Sequence, residues 1–210
     1  MMFALLFLIF AGVAAGLWFQ GTWSNALALP SIILAGAIAT NFFEPLSALL
    51  QDNYAPAAYL YDFIVLWGLF AAFYATFRGL TDSFAAGWIT FPFPVETSCR
   101  SVLAIINSWV LVCFTAFSLH LAPLNAVDPL GAWSTPMEGT FLGMSPDRQW
   151  AAFAHSRSRG ALSRGSFDPQ ALNPEDVEAD VQAFDSTGEF IYRARQRRIA
   201  YSKLESVITE

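Results

Sequence analysis

Long apolar runs separated by short polar breaks dominate the first 120 or so positions of the chain. Met1 to Phe43 contains no Asp, Glu, Lys, Arg or His. As one helix it would extend about 64 Å at ~1.5 Å per residue, roughly twice the ~30 Å hydrocarbon core of a bilayer. The run must fold back, and "QGTWSN" (Gln20 to Asn25) supplies a polar, glycine-containing break. The pattern predicts a first span near Phe3 to Phe19 and a second near Ala26 to Phe43, each close to the ~17–25 residues of a crossing. Pro30 reads as a helix-start residue, because its missing N–H and fixed φ cost least in the first turns.

"FFEPLSALLQDNYAP" follows with Glu44, Asp52 and two prolines, and reads as a loop at or above the membrane surface. A third span is predicted from Tyr61 to Phe77, with Asp62 near its start and Tyr54, Tyr59 and Tyr61 as an interfacial aromatic belt. A fourth runs from Ser101 to Leu121, "SVLAIINSWVLVCFTAFSLHL", with His120 at its edge and Pro123 limiting its extension. Gly12 and Gly16 form a G-x-x-x-G in the first span, a spacing that lets helices approach closely in lipid, although chance in an Ala/Gly-rich helix explains it equally well. "AGVAAG" also resembles a signal-peptide cleavage region, but the missing basic n-region and the immediate second span favour a retained helix.

Composition agrees with this division. The chain is 55% hydrophobic and 13% charged with a mean hydropathy of +0.45, against roughly 25% charge in a soluble domain. Charge is concentrated in the last third, so lipid solvates one part and water the other.

Arg78 and Arg100 are the only Lys or Arg among the first 147 residues. Both flank one segment, "RGLTDSFAAGWITFPFPVETSCR", and basic residues near span ends are retained on the cytoplasmic face. Four crossings then place this segment and "QGTWSN" in the cytoplasm, with both termini and the Gln51 region outside it. Nine of the eleven Lys and Arg residues lie in the region after Leu121, but the first of them, Arg148, falls beyond the ~15–20 residues over which the rule counts. The segment between the arginines interleaves Phe84, Trp88, Ile89, Phe91 and Phe93 with Pro92 and Pro94. It suits the headgroup level, as a loop lying against lipid or, less simply, as a partner-docking segment. Arg78, Trp88 and Arg100 are its topology and partner-loop candidates.

This layout, with two close spans joined by a glycine-bearing turn, a third ending in Arg78-Gly79, an aromatic loop and Arg100 opening a fourth, resembles the colicin V production protein (CvpA) family over roughly residues 1–122. Where the family commonly opens its fourth helix with Asp-Arg followed by glycines, Arg100 here follows Cys99 and precedes "SVLAIINSW"; the basic residue usual in the first cytoplasmic turn is missing from "QGTWSN". The resemblance implies a non-enzymatic, multi-pass bacterial inner-membrane protein, a scaffold or accessory factor in toxin production or export and envelope homeostasis. It also implies an extracytoplasmic C-terminal region. Some relatives carry a serine protease there.

The C-terminal region offers no such enzyme by sequence. Only His155 is placed to serve a Ser-His-Asp system, and "GALSRG" is not the G-x-S-x-G elbow. Cys99 and Cys113 are separated by about 21 Å along one predicted helix, too far to bridge or to share a metal. "EDVEAD" lacks calcium-loop spacing. No cofactor, metal or catalytic residue is expected. Arg193, Arg195, Arg197, Arg198 and Lys203 are offset by twelve acids in the same region; lipid headgroups or internal pairing suit them better than nucleic acid, which is not an expected partner. "SPDRQWAAFAHSR" predicts a short amphipathic helix with Ser145 as N-cap, Pro146 at its first position, and Trp150, Phe153 and Ala154 on one face. "DSTG" followed by "EFIYRARQ" favours a short β element. Trp150 and Phe153 are expected to rest on the membrane or on the four helices.

The expected fold is an all-α membrane protein: four transmembrane helices over residues 1–121, then a partly ordered extracytoplasmic tail, 122–210, with a short helix and a β element. Glu44, Asp62, Asn107 and His120, together with Asn41, are the intramembrane polar candidates; capping and interfacial anchoring are the simpler roles, an ion route the sharper one. Expected partners are the lipid bilayer, envelope or export proteins and further copies of the chain. The alternative function is an oligomeric channel or small-solute transport component.

Overall fold

The computed structural model describes residues 2–53, 58–84, 91–122, 141–159, 162, 184–185, 188–197 and 199. Among these the order is α1 (Met2–Trp18), α2 (Gly21–Asn53), α3 (Ala58–Phe84), α4 (Val95–Ser118) and α5 (Pro146–Ser158), with a further helical segment at 190–197. No strand occurs among the described residues beyond one isolated bridge, Phe141 to Met144. Three helices are long and apolar enough to cross a membrane, over Gly21–Gln51, Leu60–Phe84 and Val95–Ser118. α1 is as apolar but has 17 residues, about 26 Å of helix.

The break between α1 and α2 is tighter than "QGTWSN" suggests. Only Phe19 and Gln20 lie outside helix, and Gly21 takes the turn at φ +83°, a conformation glycine adopts at least cost. The polar residues of the motif are helical because neighbouring helices satisfy them. Glu96 accepts the Thr22 N–H at 3.0 Å, and Arg78 donates to the Ser24 carbonyl at 3.0 Å. Pro30 is thus interior to α2 rather than at its start, and the helix continues through Pro45 where a loop was expected. Hydroxyls fold back onto the backbone along this helix, Ser31 to the Leu27 carbonyl and Thr40 to that of Gly36. Surrounding helices make such interior prolines tolerable.

α3 outlasts its expected end by one turn and more, and α4 begins at Val95, ahead of Ser101. An i,i+4 pair, Arg100 to Glu96 at 2.8 Å, supports that first turn. The expected β element is corrected as well, since 190–197 is helical. Asp185 Oδ1 accepts the Phe190 N–H at 2.8 Å, and Phe190 and Ala194, one turn apart, are both buried. The i,i+4 apolar pair outweighs the partial alternation of "EFIYRARQ".

α2 and α3 run antiparallel, joined by Ser24–Arg78 at one end and Gln51–Asp62 at the other. α1 runs antiparallel to α4: Met2 and Leu6 pack with Val112 and Ala116, while Trp18 lies under Arg100. The core is aromatic. Phe114 of α4 meets Phe70 at 4.6 Å, Trp67 at 5.2 Å and Trp150 of α5 at 5.3 Å between ring centroids. Phe184 and Phe190 join it through Phe43 and Phe117. α5 begins at Pro146, as expected, although the Ser145 side chain makes no capping hydrogen bond, and Trp150 rests on the helices.

Candidate functional site

The polar groups carried by the apolar helices gather in two places. At the end where α1 turns into α2, Arg78 donates to the Ser24 carbonyl and hydroxyl, at 3.0 and 2.6 Å, and lies 3.3 Å from Asp82. Arg100 pairs with Glu96 and lies 5.8 Å from the centre of the Trp18 ring, within cation–π range. Glu96 in turn accepts the Thr22 N–H, and the Thr22 hydroxyl donates to the Glu96 carbonyl at 2.9 Å. Below this layer Asn107, fully buried, donates to the Asn25 carbonyl at 3.0 Å, and Asn25 donates to that of Leu17 at 2.9 Å. The two arginines therefore join helices rather than merely marking a loop. Trp88 lies outside the described residues.

The second place is where the chain beyond α4 returns to the bundle. His120 and Asp147, both almost inaccessible, meet at 2.9 Å between Nε2 and Oδ2. Burial acts to raise the Asp147 carboxyl; the hydrogen bond and charge of His120, with Arg148 beside it, more than reverse this and hold it below the ordinary carboxylate value. One residue pair on, the amide oxygen of Gln149 accepts the Trp109 indole N–H at 3.1 Å and faces the Cys113 thiol at 3.6 Å. Trp150 donates to the Thr40 hydroxyl at 3.0 Å, and its ring covers Gly36 so closely that a Cβ there would lie 2.6 Å from it. Only glycine leaves room for this approach. Gly12 and Gly16, the expected G-x-x-x-G pair, meet nothing within 4 Å.

The sequence-chosen polar residues are thus dispersed, not convergent. Asp62 is buried, takes the Gln51 amide at 3.4 Å and pairs with Arg197 of the segment 190–197. Glu44 is half-buried in mid-α2, its carbonyl accepting the Ser47 hydroxyl at 3.0 Å. Asn41 donates to the Leu162 carbonyl. Sequence reading missed Asn25, Gly36, Thr40, Glu96, Asp147 and Gln149. A signal existed for Asn25 and Thr40, as polar side chains inside a 43-residue uncharged stretch; none identified Asp147 as the partner of His120. Among the described residues no group of three or more His, Cys, Asp or Glu could hold a metal. Both cysteines lie on α4 and are free, Cys99 exposed and Cys113 buried.

What this arrangement can do is bolt helices together. Each buried hydrogen bond contributes about 1 kcal/mol net, less on average between membrane helices, and an unpaired buried group costs more than the bond gains. The chain was compared with protein-family models, with curated proteins and with solved structures, and none of the three comparisons finds a match.

Proposed function

We propose that this chain is a non-enzymatic, multi-pass membrane protein that serves as a scaffold or accessory factor, of the kind the CvpA-like layout implies, in toxin production or export and envelope homeostasis. The placement that goes with this reading is the bacterial inner membrane, with both termini outside the cytoplasm. One observation carries it: Arg78, Arg100, Asp62, Asn107 and His120 each make their polar contacts with other parts of the fold, namely Ser24, Glu96 and Trp18, Arg197, Asn25 and Asp147. Polar groups held in this way favour a rigid bundle that presents surfaces, and they are poorly disposed to carry a mobile ion.

A channel or small-solute transport component is the second reading, favoured by a different observation. The amide oxygens of Asn25, Asn41 and Asn107 are buried without a hydrogen-bond partner among the described residues, and such acceptors are also what a permeating donor would use. Flux into liposomes, compared between the native chain and the Glu44→Gln, Asp62→Asn variant, separates the two. The scaffold reading expects no flux above protein-free liposomes, together with recovery of envelope proteins that is lost when the Arg78–Arg100 segment is replaced. Flux that falls on neutralising Glu44 and Asp62 would overturn it.

A further inference from the structure

The chain beyond α5 returns to the bundle as a short, two-faced element. Residues 190–197 form about two turns of helix, with Phe190 and Ala194 buried and Tyr192, Arg193, Gln196 and Arg197 exposed. One face is therefore apolar and the other open. A helix this short is not stable alone in water, so the surface beneath it must supply its order. Local support is confined to its start, where Asp185 Oδ1 accepts the Phe190 N–H at 2.8 Å and pairs with Arg193 at 3.4 Å.

Three anchors attach this segment, and between them they reach four helices. The Phe184 ring is fully buried, 6.3 Å from that of Phe43 on α2 and 5.8 Å from that of Phe117 on α4. Both backbone groups of Phe184 are met by side chains of α5, the N–H donating to Ser158 Oγ at 2.9 Å and the carbonyl facing His155 Nδ1 at 3.0 Å. Phe190 stacks on Phe117 at 4.8 Å and meets Phe43 edge-on at 6.4 Å. Arg197, at the far end, pairs with Asp62 on α3. An amphipathic helical turn with its apolar side in a groove, preceded by backbone that receptor side chains satisfy, is the way a protein holds a helical peptide.

We propose that the segment from Phe184 to Arg197 is an intramolecular peptide ligand, and that the groove of Phe43, Phe117, His155, Ser158 and Asp62 is a docking site for segments of its pattern. That pattern is a phenylalanine, a second one six positions on within a helical turn, and a cation seven positions further. Because the segment is covalently joined to the bundle, it competes for the groove at an effective concentration on the order of millimolar. A free peptide consequently gains the groove only when that join is cut or the anchors are removed. The inference is independent of whether the protein scaffolds or transports.

The test cuts the join in the full chain. A specific protease recognition sequence replaces residues 170–175, and the chain in micelles is compared before and after cleavage for binding of a fluorescent peptide with the sequence of residues 182–199. The cut chain is expected to bind one peptide per copy, about tenfold or more tighter than the uncut chain, and to release its own fragment as it does so. Peptides carrying Phe184→Ala or Phe190→Ala should bind about tenfold or more weakly. An uncut chain with Phe184→Ala and Phe190→Ala in its own segment should likewise admit the native peptide. Every tryptophan precedes Phe184, so tryptophan emission reports on the rest of the fold and should keep its folded character when the fragment leaves. Failure of both the cut chain and the uncut variant to bind the peptide, or emission that moves to that of the denatured chain on release, would overturn the proposal and make the segment part of the core. A dimer of the uncut chain that cleavage dissolves would overturn the intramolecular assignment, since a second copy would then fill the groove.

Discussion

α3 and α4 are nearly the same length and are both apolar enough to cross a membrane, yet 22% of the one and 50% of the other is buried within the chain. Hydropathy treats them as equals. Their surroundings do not: α4 packs on α1, α2 and α5, whereas α3 packs chiefly on α2 and turns its other flank outward. The difference teaches that an apolar run states which solvent a helix tolerates and leaves open whether lipid or protein fills that role. α4 is the hub of the bundle. The chain that follows it, through His120 and α5, is held by that hub.

The comparison is broken most severely at Phe114. Truncating this fully buried ring should cost about 3–5 kcal/mol, whereas Ile64→Ala on the outer flank of α3 should stay within about 0.5 kcal/mol. Unfolding titrations in detergent micelles measure both; similar costs would erase the distinction between the helices.

His120→Ala comes next. It leaves the Asp147 carboxylate buried and unpaired, and should cost about 3 kcal/mol, read as protease cleavage within α5 under conditions where the native chain resists. The pH dependence follows the sign of the Asp147 shift. A carboxylate held below its unfolded value of 3.8 contributes stability that is complete above that value and is lost as pH falls through the lower folded one. The stability of the α5 junction, read by tryptophan fluorescence of the chain in micelles, should therefore fall as pH drops below about 4, and Asp147→Asn should remove that acid dependence.

Gly36→Ala is a subtler probe of the same junction. The added Cβ collides with a Trp150 ring pinned by Thr40, so a cost of about 1–3 kcal/mol is expected. Gly12→Ala and Gly16→Ala, with open space around them, should be neutral in the single chain. A small effect is expected at the arginine end, where Arg100→Gln removes a partly exposed pair with Glu96 worth at most about 1 kcal/mol.

How much of this the sequence discloses depends on the range of the interaction. The apolar helices were legible because lipid acts on composition over some twenty residues at a time. The start of α5 was legible because Pro146 suits the first helical position through its fixed φ and missing N–H. Helix ends were not, since α2 survives Pro45 and absorbs Thr22 and Ser24 only through Glu96 and Arg78, 74 and 54 positions away. The same distance hid the partners. Thr40 meets Trp150 across 110 positions, and nothing local separates Gly36, which must be glycine, from Gly12 and Gly16. The expectation of a β element after "DSTG" failed because Phe190 packs on a core supplied by Phe43 and Phe117 from other helices.

The central claim is that polar side chains within this bundle bolt its parts together and that α5 belongs to it. A double-mutant cycle on Trp150→Phe and Thr40→Val, measured by unfolding in micelles, tests it most directly, because the bond joins α5 to α2 alone. The account expects a coupling of about 1 kcal/mol. Single-variant costs that simply add, to within about 0.3 kcal/mol, would show the two side chains to be independent and would contradict it.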